Sequence, residues 1–395
     1  MPGHEVTSSV GHRDGSDVPP SQTSILPKSQ ASQVADGHLR EGAQSAQPAP
    51  KPTRRHTTLL RYLARRLVLT VVLLFGMTLV TFALTNLVPG DPVAAALGQR
   101  AADDPAIVTQ FRAQYGLDKP LPQQYLAYLV RLVHLDLGTS WQTHNPVAAD
   151  LAKAIPATME IAIPTIVTAA VIGLAFGAIS AYRRGKITDQ VLRLVSLIGI
   201  SVPTFWMSIL VFYVFYYRLG LFPGSGRLTP GVAAPPPRTG LYTIDALLAG
   251  DMRTFVDAAA HLAMPMMVLT LYTLGLLTRF SRAAFLEVLG QDFVRTAKAK
   301  GLPGRVVFFR YVLRAAAVPI LTIAGLAFGS LLSGTVLVES IFGWPGLGSY
   351  AYKAASKLDL LGVMGVSLFV GVIYLGINLV VDVLYGFIDP RVKVG

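Results

Sequence analysis

Apolar residues gather along the chain in runs of roughly twenty or more, the length an α-helix needs to cross the hydrocarbon of a bilayer. Only closed hydrogen-bonded segments are stable there, so long apolar runs read as helices. The pattern predicts six of them, over about Leu67–Val88, Pro156–Tyr182, Val191–Tyr217, His261–Arg279, Ala315–Ile341 and Leu361–Ile388. Leu87-Val88-Pro89-Gly90-Asp91-Pro92 is a turn signal that stops the first span. Ser201-Val202-Pro203-Thr204-Phe205-Trp206 falls near the centre of the third, where Pro203 removes a backbone hydrogen bond and predicts a kink. That kink reads equally as a packing feature or as a bend lining a pathway. Span five carries Pro319, Ser333 and Gly334. Gly173/Gly177 and Gly325/Gly329 form GxxxG pairs, which permit close helix approach but are common in apolar sequence.

The polar stretches divide the chain. Residues 1–56 are rich in Ser, Pro, Gln, Ala, Gly and Asp and nearly without aromatics, which predicts a disordered cytoplasmic tail. They hold no apolar stretch of the secretory-signal kind. A solvated extension is preferred to a regulatory tail. Residues 57–90 form an interfacial helix, punctuated by Arg61, Arg65 and Arg66, followed by the first span. Residues 91–155 are polar with charges of both signs and short helical stretches at Pro105–Tyr115 and Gln123–Leu135, an extracytoplasmic cap. Residues 156–390 hold the other five spans, with a cytoplasmic loop at 280–314. The positive clusters at Arg54-Arg55, Arg183-Arg184-Gly185-Lys186 and the 280–314 loop all fall on one side, which places both termini in the cytoplasm.

Composition agrees and narrows the chemistry. Of 395 residues 52% are hydrophobic and only 14% charged, far from a soluble domain. The net charge of +12 lies beside spans, so the positive-inside bias accounts for it and nucleic-acid binding is not expected. There is no cysteine, which excludes thiolate metal sites and cysteine nucleophiles. No GxxxxGK[ST] or GxSxG occurs, and Gly346-Leu347-Gly348-Ser349-Tyr350-Ala351 lacks the strand a dinucleotide fingerprint requires. The seven histidines show no metal-ligand spacing. No catalytic residue, metal site or cofactor is therefore expected on this chain. Glu160, Glu339 and Asp382 stand near span ends, where partial solvation is expected, and the span centres lack the carboxylate relay of a proton-driven carrier. The energy source is expected on another protein. A self-sufficient ion-coupled carrier and a membrane enzyme are the weaker alternatives.

The stretch Arg279–Arg314 is basic and helix-prone, with good helix formers running from Arg295 to a glycine at Gly301. Arg295-Thr296-Ala297-x-x-x-Gly301, followed by Tyr311-Val312-Leu313-Arg314, resembles the EAA loop of permease subunits from bacterial ABC importers. The usual glutamate is replaced by Arg295, and the later isoleucine and proline by Tyr311 and Arg314, departures that resemble the dipeptide/oligopeptide branch. Further similar segments are Tyr115-Gly116-Leu117-Asp118, Asp136-Leu137-Gly138-Thr139-Ser140, Glu339 to Gly348 and Asp382 to Arg391. The resemblance covers about Leu59 to Lys393.

It implies an all-α polytopic membrane protein of the type I ABC importer permease fold, a B-type subunit in the bacterial cytoplasmic membrane. It implies a second homologous permease subunit, two ABC ATPase subunits that carry the ATP and Mg, and an extracytoplasmic solute-binding protein. Arg295, Thr296, Ala297, Lys298, Ala299, Lys300, Gly301 and Leu302 would couple to an ATPase, with Ala297 and Ala299 allowing close approach and Lys298 and Lys300 meeting acidic groups. Pro203, Thr204, Phe205, Trp206, Ser333 and Glu339 are the candidates for the translocation pathway. Peptides are the implied solute class, with haem, nickel chelates and glutathione as alternatives within the same branch.

Overall fold

The computed structural model describes residues 55–87 and 103–388; the expected tail up to residue 54, the turn at Val88–Pro92 and the closing Asp389–Lys393 lie outside the described residues. Within them the regular structure is helical, with one isolated bridge between Thr139 and Pro146. The described residues from Leu59 onward form a single compact unit.

Helix α1, Arg55–Leu87, joins the expected interfacial segment and first span without a break, because neither proline nor glycine separates Arg61 from Leu67. Two short helices follow, α2 (Pro105–Tyr115) and α3 (Leu121–Val133). Tyr125 of α3 is pinned to α1: its ring packs on Phe75 and Phe82, and its hydroxyl lies 3.0 Å from that of Thr78. Helix α4, Val147–Tyr182, begins nine residues before the predicted span and runs through Pro156 and Pro164. Helix α5, Ile187–Ser201, and α6, Thr204–Val211, with its π-helical continuation Phe212–Arg218, occupy the third apolar run. After the short α7 (Tyr242–Leu248), helix α8 extends over Met252–Leu289, followed by α9 (Asp292–Ala299). Helix α10, Leu313–Ile341, is preceded by a helical turn at Gly304–Val306 and a π-helical stretch at Val307–Val312. The chain closes with α11 (Leu347–Ser356) and α12 (Leu360–Ile388).

By length and composition, five helices can cross a membrane (α1, α4, α8, α10 and α12), and α5 with α6 makes a sixth if the pair is one span. That pair departs from the expected kink: the two axes differ by 100°. Pro203 is responsible, since its ring disfavours the helical conformation of the residue before it. Val202 is accordingly extended, at φ −83° and ψ 124°.

The core lies where α4, α6, α8 and α10 meet, around Ile161, Met207, Met264, Val268, Leu269, Leu331 and Val338. Without a hydrophobic driving force between helices in lipid, close backbone approach through small residues holds such a bundle. Both GxxxG pairs serve this purpose. A Cβ on Gly177 would stand 2.6 Å from Ser281 Cβ and 2.9 Å from the Arg282 amide nitrogen, so α4 lies directly on α8. Gly325 meets Val381 and Gly329 meets Tyr374, which joins α10 to α12. Gly199 and Gly275 mark a third crossing, between α5 and α8: a Cβ on Gly275 would meet the Ser196 carbonyl oxygen at 2.5 Å.

Gly177→Ala should therefore destabilise the assembled protein by about 1–3 kcal/mol, because backbone blocks the added methyl. Gly76→Ala, where nothing lies within 4 Å, should be neutral or slightly stabilising through helix propensity. Thermal unfolding of the two variants in detergent measures the contrast, and equal midpoints would contradict the α4–α8 contact.

Candidate functional site

Three places concentrate polar structure, and each is built from different elements. The first is α9. Its end is a Schellman turn: the Leu302 amide donates to the Ala297 carbonyl at 3.4 Å and the Gly301 amide to the Lys298 carbonyl at 2.9 Å. Gly301 has φ +74°, a left-handed conformation that explains the glycine without any steric neighbour, since a Cβ there would meet nothing within 4 Å. Leu302 supplies the apolar contact that accompanies such a cap. Val294 and Ala297 are buried with Phe285 and Val288 of α8 and with Val307 and Val312. Ala297 thus faces the chain's own core, whereas Arg295, Thr296, Lys298, Ala299, Lys300 and Gly301 are exposed. Arg295 stands 3.5 Å from Asp292, both largely in solvent, a pair of little energetic weight. The result is a short helix locked on its inner face and cationic on its outer one.

The second place is the break between α5 and α6. A cavity of about 390 Å³ opens there, walled by Ser201, Pro203, Thr204 and Phe205 of the break, Tyr272 of α8 and Ser330 of α10. A helix end leaves carbonyls, and the following helix start leaves N–H groups, without intrahelical partners. Non-helical backbone at membrane depth is tolerated where it lines a cavity. Of the expected pathway residues, Pro203, Thr204 and Phe205 line this space. Trp206, 51% exposed, turns outward from the bundle, and Ser333 lies on the adjoining helix α10.

Glu339 belongs elsewhere, and its predicted partial solvation is not what the structure shows. It is fully buried; Thr158 of α4 donates to it at 2.6 Å and the Ser349 amide of α11 at 2.9 Å. The glycines in Trp344-Pro345-Gly346-Leu347-Gly348 make this possible, because a Cβ on Gly346 would fall on its carboxylate and one on Gly348 would fall on the Val336 backbone of α10. Trp344 completes the joint by donating its indole N–H to the Ala157 carbonyl at 2.7 Å.

Glu160 corrects the same expectation. Since α4 starts at Val147, Glu160 lies more than three turns inside the helix, and its side chain is 2% exposed. Arg227 donates to it from Nη2 at 2.6 Å and from Nε at 3.1 Å, while Thr243 donates from its amide and hydroxyl. The guanidinium also stacks 3.4 Å from the Tyr242 ring centroid. Arg227 was not singled out by sequence, although an arginine in a Pro/Gly-rich loop opposite the basic loops runs against the charge bias and was a usable signal. Beside it, burial raises the Asp245 carboxyl, but hydrogen bonds from Thr239, Gly240 and Arg238 outweigh that and hold it below the ordinary range. Asp382 pairs with Arg66 at 2.7 Å. Among the described residues no group of three or more His, Cys, Asp or Glu could hold a metal ion.

The structure is thus a polytopic helical body with a cavity at a broken helix and a surface helix that is basic on its outer face. Residues 173–394 match the family described as binding-protein-dependent transport system inner membrane component, and residues 59–162 match its N-terminal companion. The chain belongs to that family, and it is a multi-pass inner-membrane permease subunit. It is 42% identical over 325 residues, 82% of this chain and 95% of the other, to the probable D,D-dipeptide transport system permease protein DdpB of Escherichia coli K12. It is 43% identical over 336 residues, 85% of this chain and 99% of the other, to the di/tripeptide transport system permease protein DppB of Pseudomonas aeruginosa. A solved inward-facing form of the MetNI methionine ABC transporter covers 60% of this chain and 96% of its own at 15% identity, with a TM-score of 0.44.

Removing one partner of the buried Glu160–Arg227 pair should cost about 3–5 kcal/mol, because an uncompensated charge stays behind. Glu160→Ala should therefore expose the 219–251 segment to protease, and Glu160→Ala with Arg227→Ala should recover most of the protection. Digestion of the folded complex followed by mass spectrometry reads both. Acid should loosen the same segment through Asp245. Its carboxyl is depressed in the fold, so its stabilisation is complete above the ordinary carboxylate range and is lost as pH falls through the lowered value. Protease resistance should thus hold at pH 5 and fail only below about pH 4.

Proposed function

We propose that this chain is one of two related permease subunits of an ATP-driven importer for peptides or peptide-like solutes, coupled to separate ATPase subunits through α9. The carrying observation is the asymmetry of α9: one face is fixed in the core by Val294 and Ala297, the other offers Arg295, Lys298, Lys300 and the Gly301 turn to solvent. A helix so fixed transmits a push on its exposed face to α8 and to the start of α10, whose residues share its cluster. The exposed cations suit an acidic groove on the partner, and Ala299 allows close approach, whereas Ala297 serves the internal contact.

The basic ends at 183–186 and 290–314 are the cytoplasmic side by the positive-inside bias, which puts α2, α3, α7 and α11 outside with the solute-binding protein. The cavity at the α5–α6 break is then the mid-membrane part of the solute path. ATP binding and hydrolysis on the partner subunits would shift the permease pair between outward-open and inward-open arrangements through differential binding. The names of the two permease relatives, for D,D-dipeptides and for di- and tripeptides, support the solute class. The Glu339 joint has a structural part in this scheme, tying α4, α10 and α11 at the outer end.

Gly301→Trp tests the coupling role. A side chain at φ +74° strains the turn and places bulk on the docking face, so peptide-stimulated uptake in proteoliposomes should fall on the order of tenfold or more, the equivalent of about 1.4 kcal/mol of lost docking. Uptake coupled to ATP hydrolysis as tightly as in the parent would show that α9 does not dock.

A further inference from the structure

We propose that the space between α5 and α8 below the break is an anion-selective inner vestibule, where Arg193 and Arg279 receive the carboxylate of a solute leaving toward the cytoplasm. A cavity of about 710 Å³ lies there, with Gln190, Arg193 and Leu197 of α5 facing Thr278, Arg279 and Arg282 of α8. It adjoins the cavity at the break, because Ile200 lines both. A solute moving from the break toward the basic end would pass along this wall.

The charge in the wall is one-sided. Arg282 is already committed: its Nε and Nη2 donate to the two oxygens of Asp189 at 2.9 and 3.0 Å. Asp189 is itself 1% exposed and further satisfied by Ser180 and the Gly185 amide, so it offers nothing to the cavity. Arg193 and Arg279 form no ion pair among the described residues, and both are exposed to the space. The Thr278 hydroxyl, in the same wall, is buried without a hydrogen-bond partner among the described residues. Two uncompensated guanidinium groups lining one cleft focus a positive potential in it. A guanidinium fork matches a carboxylate better than it matches any neutral group. Lipid headgroups would be the other source of anion for these arginines, and the experiment separates the two.

The chain has no cysteine, so Leu197→Cys gives one thiol in the cavity wall. The assembled transporter, held in nanodiscs of neutral phosphatidylcholine, is treated with an anionic sulfonatoethyl and a cationic trimethylammonioethyl methanethiosulfonate, and modification of this chain is followed by mass. Relative to a free thiol, the anionic reagent should be favoured roughly tenfold, and salt should erode the preference. The preference should persist with Arg193→Lys and Arg279→Lys and collapse with Arg193→Gln and Arg279→Gln. Millimolar dialanine should slow the labelling, and its C-terminal amide should not. Equal rates for the two reagents in the parent background would overturn the anion site whether or not the arginine variants fold. Anion preference without protection by dialanine, or with equal protection by the amide, would overturn the carboxylate assignment. The proposal rests on the reading of the chain as a permease for peptide-like solutes. The labelling ratio needs no uptake, however, so its failure is distinct from a failure of the Gly301→Trp test.

Discussion

A buried carboxylate in a lipid-embedded bundle is stable only when its charge is answered within the protein, and the arrangement of helices around α4 follows from that demand. Glu160, Glu339 and Asp189 show it. Glu160, on α4 itself, is answered by Arg227 from the segment before α7. Glu339 of α10 reaches the Thr158 hydroxyl and the first amides of α11. Asp189 of α5 takes Ser180 near the other end of α4 and Arg282 of α8. Each bond draws a different element onto α4, and the glycine contacts at Gly173 and Gly177 hold α8 along the length between. Helix α4 is thereby tied to α10 near one end and to α5 and α8 near the other. At the break between α5 and α6, Pro203 leaves Val202 extended with a cavity beside it, and no ion pair among the described residues spans it.

The Glu160 and Glu339 sites use the backbone differently. Glu160 meets a cation, so its site is a charge pair shielded by the Tyr242 ring. Glu339 meets no cation; its partners are a hydroxyl and N–H groups at the start of α11, an arrangement in which the helix start supplies partial positive charge. Gly346 lets the backbone come close to the carboxylate, and Gly348 lets α11 come close to the Val336 backbone of α10. The segment from Glu339 to Gly348 is therefore a folding unit that returns on itself, with Trp344 as its plug between α4 and α10.

What the sequence disclosed divides along the range of the interactions. Spans were legible because hydrocarbon imposes a length and a composition on each helix separately. Gly301 was legible because a helix that ends in a left-handed residue needs glycine there whatever surrounds it. The break at Pro203 was legible in position but not in size, since a proline in a lipid helix permits anything from a mild bend to a severed axis, and packing decides. The burial of Glu160 and Glu339 was not legible. Their partners lie 67 and 181 residues away, and proximity to a span end gave the wrong expectation of solvent. Ala297 was misplaced for a related reason: its small size suits a partner's groove and the chain's own core alike, and only the register with Val294 shows which face it occupies.

That register also explains how a protruding helix of eight residues stays formed, since a helix this short is unstable alone. Val294 and Ala297, three residues apart, form one apolar stripe, and Leu302 extends it after the chain reverses at Gly301. Phe285 and Val288, in the last turns of α8, receive the stripe from one side, and Val307 and Val312 receive it from the other. Arg282, one turn before Phe285, carries the bidentate bond to Asp189 at the head of α5. From the exposed face of α9 to the broken helix there is thus an unbroken series of packed or hydrogen-bonded groups, with no loop in between. A force applied to α9 meets α8 through aromatic and aliphatic contact, and α8 meets α5 through a charge pair and the Gly199–Gly275 crossing. The helix that ends at the break is thereby linked to the exposed face of α9 through α8.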